Sequence, residues 1–311
     1  MNTLQSTIEC FAQGQLDKST FIKTMYEEQH QRLFDYAAYL ARTNIKKIEI
    51  EDGKVIMTSR DRGIRIVCGE VDHRIAPIET LNFQDYEKPE SDMMEALVKD
   101  GDNFFDIGAN IGWHSLRISI AHRNTKVYCF EPLPKTWQQL QANLAINNVR
   151  NIKPHNFGFS DKAGSFPFYY YPEGSGNASA ANLSGRSDVE VVECQVQTLD
   201  SYAVKSDTRV DFIKCDVEGA ELLVFQGGKQ TIARDLPIVF SEILRKWSAK
   251  FHYNPNEIFH LFLGLGYRSF TVEGSRLRHF AAMDDSTLET NFFFLHATKH
   301  ADLIHRHQLP D

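Results

Sequence analysis

The chain has 311 residues, enough for one large domain or for a main domain with an appendage. Its net charge of -7 argues against a nucleic-acid backbone as partner, because such a partner needs a basic face. Five cysteines, Cys10, Cys68, Cys129, Cys194 and Cys215, are scattered without Cys-x-x-Cys spacing, so they read as reduced thiols of a cytoplasmic protein and not as staples or zinc ligands. No basic segment followed by an apolar run opens the chain, so no signal peptide is expected, and no apolar run reaches membrane-spanning length.

Residues 1–44 read as helical. Phe21, Ile22, Met25, Tyr26, Leu33, Tyr36, Ala37 and Leu40 recur at helical spacing with charges between them. The plainer expectation is packing on the main domain; the sharper one is an arm for a homodimer or a substrate. Residues 45–50, 55–59 and 64–68 alternate, with Asp52-Gly53 and residues 60–63 as turns, which predicts a small antiparallel meander. Residues 1–90 are therefore read as an N-terminal helical and β appendage. Pro89 then precedes a helix over 91–99, with Ser91 as its cap.

From residue 101 the rhythm becomes strand and helix in alternation. Strands are expected at 103–107, 126–130, 152–157, 210–216, 238–241, 268–272 and 292–296, and helices at 112–121, 135–147, 220–226 and 256–263. Such alternation implies βαβ units and a parallel sheet, here assigned to a domain over 91–298. A β pair, 166–171 and 189–196, is inserted after the third strand. The small-residue loop over 174–185 inside it reads as a lid or an acceptor-contact loop. Residues 299–311 read as a polar tail whose histidines, His300, His305 and His307, are solvated.

The residues with chemistry stand where strands end. Asp106-Ile107-Gly108-Ala109-Asn110-Ile111-Gly112 is a strand–loop–helix junction whose glycines let a ligand approach the backbone. It lacks the third glycine of a dinucleotide fingerprint. Asp106 fits an ammonium group and the helix start fits a carboxylate, the two ends of an amino acid. Glu131, in Phe130-Glu131-Pro132, lies 19 residues after Gly112 and is placed to accept ribose hydroxyls. Ser160 or Asp161, after the third strand, is placed to meet an adenine amino group or else to form a turn. The fourth strand ends Lys214-Cys215-Asp216-Val217-Glu218-Gly219-Ala220-Glu221, and the fifth ends Ser241-Glu242. Glu221 reads as a helix-start acid. Asp216, Glu218 and Glu242 remain as acids at one sheet edge, suited to general-base work or to holding Mg²⁺, with Lys214 as a moderator of charge or a second base.

Together these motifs resemble the FkbM-type methyltransferases over about residues 80–273. The resemblance implies a Rossmann-like class I methyltransferase fold, a mostly parallel seven-stranded sheet flanked by helices. It also implies S-adenosylmethionine as cofactor and O-methyl transfer to a hydroxyl of a sugar, glycan or natural product. Asp106, Gly108, Asn110 and Gly112 would hold the methionine part, Glu131 with Pro132 the ribose, and Asp216, Glu218, Glu242 and Lys214 the acceptor. Cys215 stands where the family has an aliphatic residue. The competing readings are an NAD-dependent oxidoreductase, which shares the Glu131 device, and a non-catalytic cofactor-binding scaffold.

Overall fold

In the computed structural model, which describes residues 3–171, 178–183 and 185–310, the change of rhythm at residue 101 marks the start of the large sheet. Before it come helices α1 (Leu4–Ala12), α2 (Lys18–Thr24) and α3 (Gln31–Leu40), the last two joined by a π-helical turn, Met25–His30. Thr3 and Asp17 cap the first two helices by accepting backbone N–H groups. Much of the apolar stripe of these helices is open to solvent, although Met25 is buried. Ile22, Tyr26, Leu33 and Tyr36 are exposed, and Phe11 stacks on Phe21 with centroids 4.3 Å apart. The end of α3 is anchored: Leu40 joins a small core with Ile45, Met57 and Leu81, and Tyr39 donates its hydroxyl to the Leu81 carbonyl at 2.7 Å.

The meander forms as expected from strands β1 (Ile45–Glu51), β2 (Lys54–Ser59) and β3 (Arg65–Cys68), paired antiparallel in that order. Helix α4 (Ala76–Phe83) follows, without a counterpart in the sequence reading. Helix α5 (Lys88–Leu97) begins earlier than expected. Pro89 sits in its first turn, where a missing N–H costs nothing, and Ser91 is buried inside the helix instead of capping it.

The main domain runs β4 (Asn103–Ile107), α6 (Trp113–Ala121), β5 (Lys126–Phe130), α7 (Pro134–Ile146) and β6 (Ile152–His155). The inserted strands are β7 (Gly158–Phe159), β8 (Gly164–Tyr170) and β9 (Glu190–Gln197). Then come α8 (Leu199–Ser206), β10 (Phe212–Cys215), α9 (Glu221–Gln226), α10 (Lys229–Asp235), β11 (Ile238–Glu242), α11 (Arg245–Ser248) and α12 (Asn256–Gly264). Strands β12 (Tyr267–Glu273), β13 (Arg276–Phe280) and β14 (Asn291–His296) and helix α13 (Ala301–His307) close the chain. No helix among the described residues is long and apolar enough to cross a membrane.

The strand order is β13-β12-β14-β11-β10-β4-β5-β6. Pairing is parallel from β11 to β6 and antiparallel among β11, β14, β12 and β13. This is the Rossmann-like class I methyltransferase fold. The sheet has eight strands and not seven, because residues 276–280 turn back on β12 to make an edge hairpin. The third parallel strand is also shorter than expected. It stops at His155, and Gly158 and Phe159 pair with β9 in a separate sheet of order β7-β9-β8.

Side chains of the central strands alternate between two cores, one on each sheet face. Phe104, Phe212, Phe240 and Phe293 pack under Met94 and Leu97 of α5, Ile118 of α6 and Ile304 of α13. Phe105, Ile213, Val239 and Phe292 pack against Leu222 and Phe225 of α9 and Phe262 of α12. The segment read as a polar tail is thus in part a helix that contributes Leu303 and Ile304 to the core, and His300 is buried with them. Strands β5 and β10 flank β4 on opposite sides, so a crevice opens at the carboxyl ends of β4 and β10, where open α/β sheets bind ligands.

Candidate active site

The loop after β4 is shaped by a backbone contact. Gly108 has φ of +76°, and a Cβ there would lie 1.8 Å from the carbonyl oxygen of Asp216. Its missing side chain admits the end of β10, whose Asp216 N–H donates to the Ile107 carbonyl at 3.1 Å. Gly112 has φ of +89° at the N-cap of α6, and a Cβ there would meet Leu140 and Leu144 at ordinary contact distance. Between them Asn110 is also left-handed, with φ of 48°, and turns its N–H to Glu131.

Glu131 is buried just beyond β5 and is held from two sides. One oxygen accepts the Asn110 N–H at 3.0 Å and the other the Leu133 N–H at 3.0 Å. Burial pushes its carboxyl up to about 7, against the pull of those two donors. The loop and Glu131 therefore form one unit.

Asp106 lies beneath this unit and does not reach the cavity. Its side chain is 1% exposed; one oxygen accepts the Ser115 hydroxyl at 2.7 Å and the other lies 3.4 Å from Lys214 Nζ. Lys214, itself 3% exposed, donates to the Gly108 carbonyl at 2.8 Å and to Asp216 Oδ2 at 3.3 Å. Burial opposes the Lys214 charge, but Asp216 and Asp106 outweigh it and hold the ammonium well above its ordinary range. A lysine so held keeps its proton and balances the two acids beside it.

Asp216 is the open member of this chain, with its side chain 28% exposed. After it the backbone turns tightly, with Glu218 left-handed at φ of 54°. Glu221 builds the turn by accepting the N–H groups of Val217 and Gly219. The turn brings Glu218 to Asp216 and to Glu242 at the end of β11, so that one oxygen from each acid lies within 4.8 Å of the others. Burial, and then the neighbouring charge of Asp216, push the carboxyls of Glu218 and Glu242 well above the usual range.

Two residues ahead of the expected domain complete this edge. Glu87, with φ of 44° at the start of α5, lies 3.1 Å from His114 Nε2. Burial works to raise its carboxyl, but the His114 bond and charge outweigh it and keep it low. Tyr86 packs edge-on against Trp113 with centroids 6.3 Å apart. No local pattern marks either residue: each gains its place from how α5 is laid against α6.

These groups surround a cavity of about 810 Å³, in the size range of small-ligand sites. Of the residues singled out in the sequence, Gly108, Asn110, Glu131, Pro132, Lys214, Asp216, Glu218 and Glu242 line it. Asp106, Gly112, Ser160 and Asp161 do not. Ser160 and Asp161 are carried off with β7: Asn156 ties the strand end back to the carbonyls of Glu131 and Pro132, and the Ser160 carbonyl packs against Gly227 at the end of α9. The insertion supplies wall residues instead, Phe168, Tyr171, Leu183 and Arg186. Ser179 fastens it by donating its hydroxyl to the Glu218 carbonyl at 2.8 Å. Part of the loop over 174–185 lies outside the described residues.

The sequence profile described as the methyltransferase FkbM domain matches residues 106–269, more than half of the chain. Methyltransferase sdnD of Sordaria araneosa is 30% identical over 151 residues, covering 39% of this chain and 58% of that protein. The 2-O-methyltransferase NoeI of Sinorhizobium fredii (strain NBRC 101917 / NGR234) is 26% identical over 157 residues, 46% of this chain and 63% of that one. The 31-O-demethyl-FK506 methyltransferase FkbM of Streptomyces tacrolimicus is 34% identical over 76 residues, 24% of this chain and 29% of that one. The chain thus spans less than two thirds of the length of each of these relatives. A crystal structure of methyltransferase FkbM from Methylobacillus flagellatus KT superposes with a TM-score of 0.44 at 17% identity, covering 69% of this chain and 52% of that one.

Proposed function

This chain belongs to the FkbM methyltransferase family, and from that premise we propose that it is a cytoplasmic S-adenosylmethionine-dependent O-methyltransferase acting on a hydroxyl of a sugar, glycan or natural product. The observation that carries this reading is that Glu131, beyond β5, and Asp216 and Glu242, at the ends of β10 and β11, line one cavity at the carboxyl edge of the sheet. O-methylation is further supported by two relatives whose names state it, the 31-O-demethyl-FK506 methyltransferase and the 2-O-methyltransferase NoeI. The five free cysteines support a reducing compartment.

The residues at one end of the cavity suit the cofactor. Each Glu131 oxygen accepts one backbone N–H, and a carboxylate oxygen has a lone pair left for a second donor, so both ribose hydroxyls have an acceptor. Gly108, Asn110 and Pro132 form the wall beside it. Asp106 acts from below, fixing Lys214 and Ser115 under the loop. When bound, S-adenosylmethionine supplies an electrophilic methyl carbon.

The acidic end suits the acceptor. A sugar hydroxyl does not ionise near neutral pH by itself, and Asp216 is the group that takes its proton. Lys214 donates to Asp216 Oδ2 and so orients the carboxylate. Glu87 and Tyr86 line the same end. The exposed apolar side chains of α1–α3 support a homodimer formed through the N-terminal region.

A thermal-shift series with S-adenosylmethionine, S-adenosylhomocysteine and NAD tests the cofactor, since a ligand that binds the folded state raises the midpoint. Methyl transfer to a panel of sugar nucleotides, glycans and hydroxylated natural products then tests the acceptor class. A shift with NAD alone would favour an oxidoreductase; cofactor binding without transfer to any acceptor would favour a non-catalytic scaffold.

A further inference from the structure

We propose that Asp216, Glu218 and Glu242 form a binding site for a divalent cation of the magnesium or manganese kind. Three carboxylates from two strand ends each bring one oxygen within 4.8 Å of the others, which is the spread of ligands around a single small cation after modest adjustment. A second observation points the same way. Glu218 Oε2 is sealed from solvent and has no hydrogen-bond partner, a costly state for a carboxylate oxygen. Beside the cluster, Asn291 stands opposite Glu242 in the register of β14 and β11, and its Oδ1 is likewise sealed without a partner. A hard cation takes carboxylate and amide oxygens together.

The protein's own charges compensate this site only in part: Lys214 pairs with Asp216, and among the described residues no ion pair reaches the other two acids. Lys214 is shared among Asp106, Asp216 and the Gly108 carbonyl, and it makes no ion pair with Glu218 or Glu242. Lys246 is stacked 4.2 Å from the Trp247 ring centroid and pairs with neither. Across the cavity Glu87 is paired with His114. Among the described residues Glu218 and Glu242 take part in no ion pair, so two sealed or half-sealed carboxyls face a third with no counter-charge of their own. The turn that creates this is not forced by sterics alone, because Glu221 already closes it through Val217 and Gly219.

For its purpose, though not for its existence, the site rests on the methyl-transfer reading. A cation there would coordinate the acceptor hydroxyl and lower its pKa, while Asp216, bound through one oxygen, keeps the other to receive the proton.

The test uses the full chain, stripped with chelator and titrated with Mn²⁺ under electron paramagnetic resonance, with Mg²⁺ as competitor. One Mn²⁺ per chain is expected, displaced by Mg²⁺, with affinity at least tenfold weaker in Glu242→Gln and in Glu218→Gln. The same titration on Asp216→Asn serves if either variant does not fold, as judged by circular dichroism. Absence of stoichiometric Mn²⁺ binding, or binding that all three variants leave unchanged, overturns the proposal. Calorimetry with S-adenosylhomocysteine on the same preparations separates the two readings. Binding of S-adenosylhomocysteine without Mn²⁺ sinks the cation site alone, and binding of Mn²⁺ without S-adenosylhomocysteine sinks the methyl-transfer reading alone.

Discussion

Lys214 stands directly opposite Asp106 in the parallel register of β10 and β4, and its ammonium nitrogen lies 3.4 Å from that carboxylate. Neighbours in register share a sheet face, so a lysine inside an otherwise apolar strand meets the one acid of the adjacent strand. The same ammonium reaches Asp216 two residues on, where the strand opens to the cavity. A buried charge thus links the floor of the loop after β4 to the acidic edge.

Removing one member of this pair should be costly. Lys214→Met leaves the buried Asp106 with the Ser115 hydroxyl but without its cation, and should lower stability by about 3–5 kcal/mol. Adding Asp106→Asn should recover part of that loss, because the neutral amide needs no counter-ion. Urea midpoints of the two variants check this; equal stability of single and double variants would refute the coupling.

Gly108 and Gly112 should respond differently to alanine. At Gly108 the new methyl meets the Asp216 carbonyl, so β4 and β10 must separate at the site, costing about 3 kcal/mol or more and weakening cofactor binding. At Gly112 the methyl meets only the side chains of Leu140 and Leu144 at ordinary distance, and the left-handed backbone alone should cost about 1 kcal/mol. Thermal midpoints with and without S-adenosylhomocysteine distinguish the two.

Glu131 sets a pH dependence. Its carboxyl is raised to about 7 in the folded chain, above the 4.5 of an exposed glutamate. Between those values the folded state holds the proton that the unfolded state has lost, so this group reduces stability as pH rises through that window. Cofactor binding should run the other way, since ribose hydroxyls need the ionised form. Affinity for S-adenosylhomocysteine should increase as pH passes 7 and should be weaker and nearly flat in Glu131→Gln, as calorimetry would record.

A half-buried and a buried histidine, His155 and His300, oppose acid. His155 stacks on Phe130 with centroids 5.0 Å apart and bonds Tyr202; burial lowers it from 6.5 to about 4, and His300 to about 3. Below 6.5 the unfolded chain takes up protons that these folded sites refuse, so stability should fall as pH drops from 6.5 towards 4. His155→Gln should flatten part of that slope in denaturant titrations across the window.

Asp216→Asn tests the chemistry. Loss of the proton acceptor should reduce methyl transfer on the order of a hundredfold or more, while affinity for S-adenosylhomocysteine is largely kept. A rate within a few-fold of the unaltered protein would remove Asp216 from the reaction.

Local pattern marked the central strands and four helices of the main domain, because an apolar run between turns must be buried, but it missed β13 and helices α8, α10, α11 and α13 and drew the third strand too long. It also marked the strand ends that bear Glu131, Asp216, Glu218 and Glu242, since acids after apolar strands are visible without knowing the neighbours. What each residue does there was decided by tertiary structure. Asp106 looks like an open acid in the sequence, but register places it under Lys214. Gly108 looks like room for a ligand, but the space is filled by the Asp216 carbonyl. Ser160 and Asp161 follow the third strand in sequence, yet β7 leaves that sheet for another. Glu87 and Tyr86 carry no signal at all, because only the docking of α5 on α6 brings them to the cavity. Period and turn chemistry act over a few residues, and these contacts join segments from about thirty to more than a hundred residues apart.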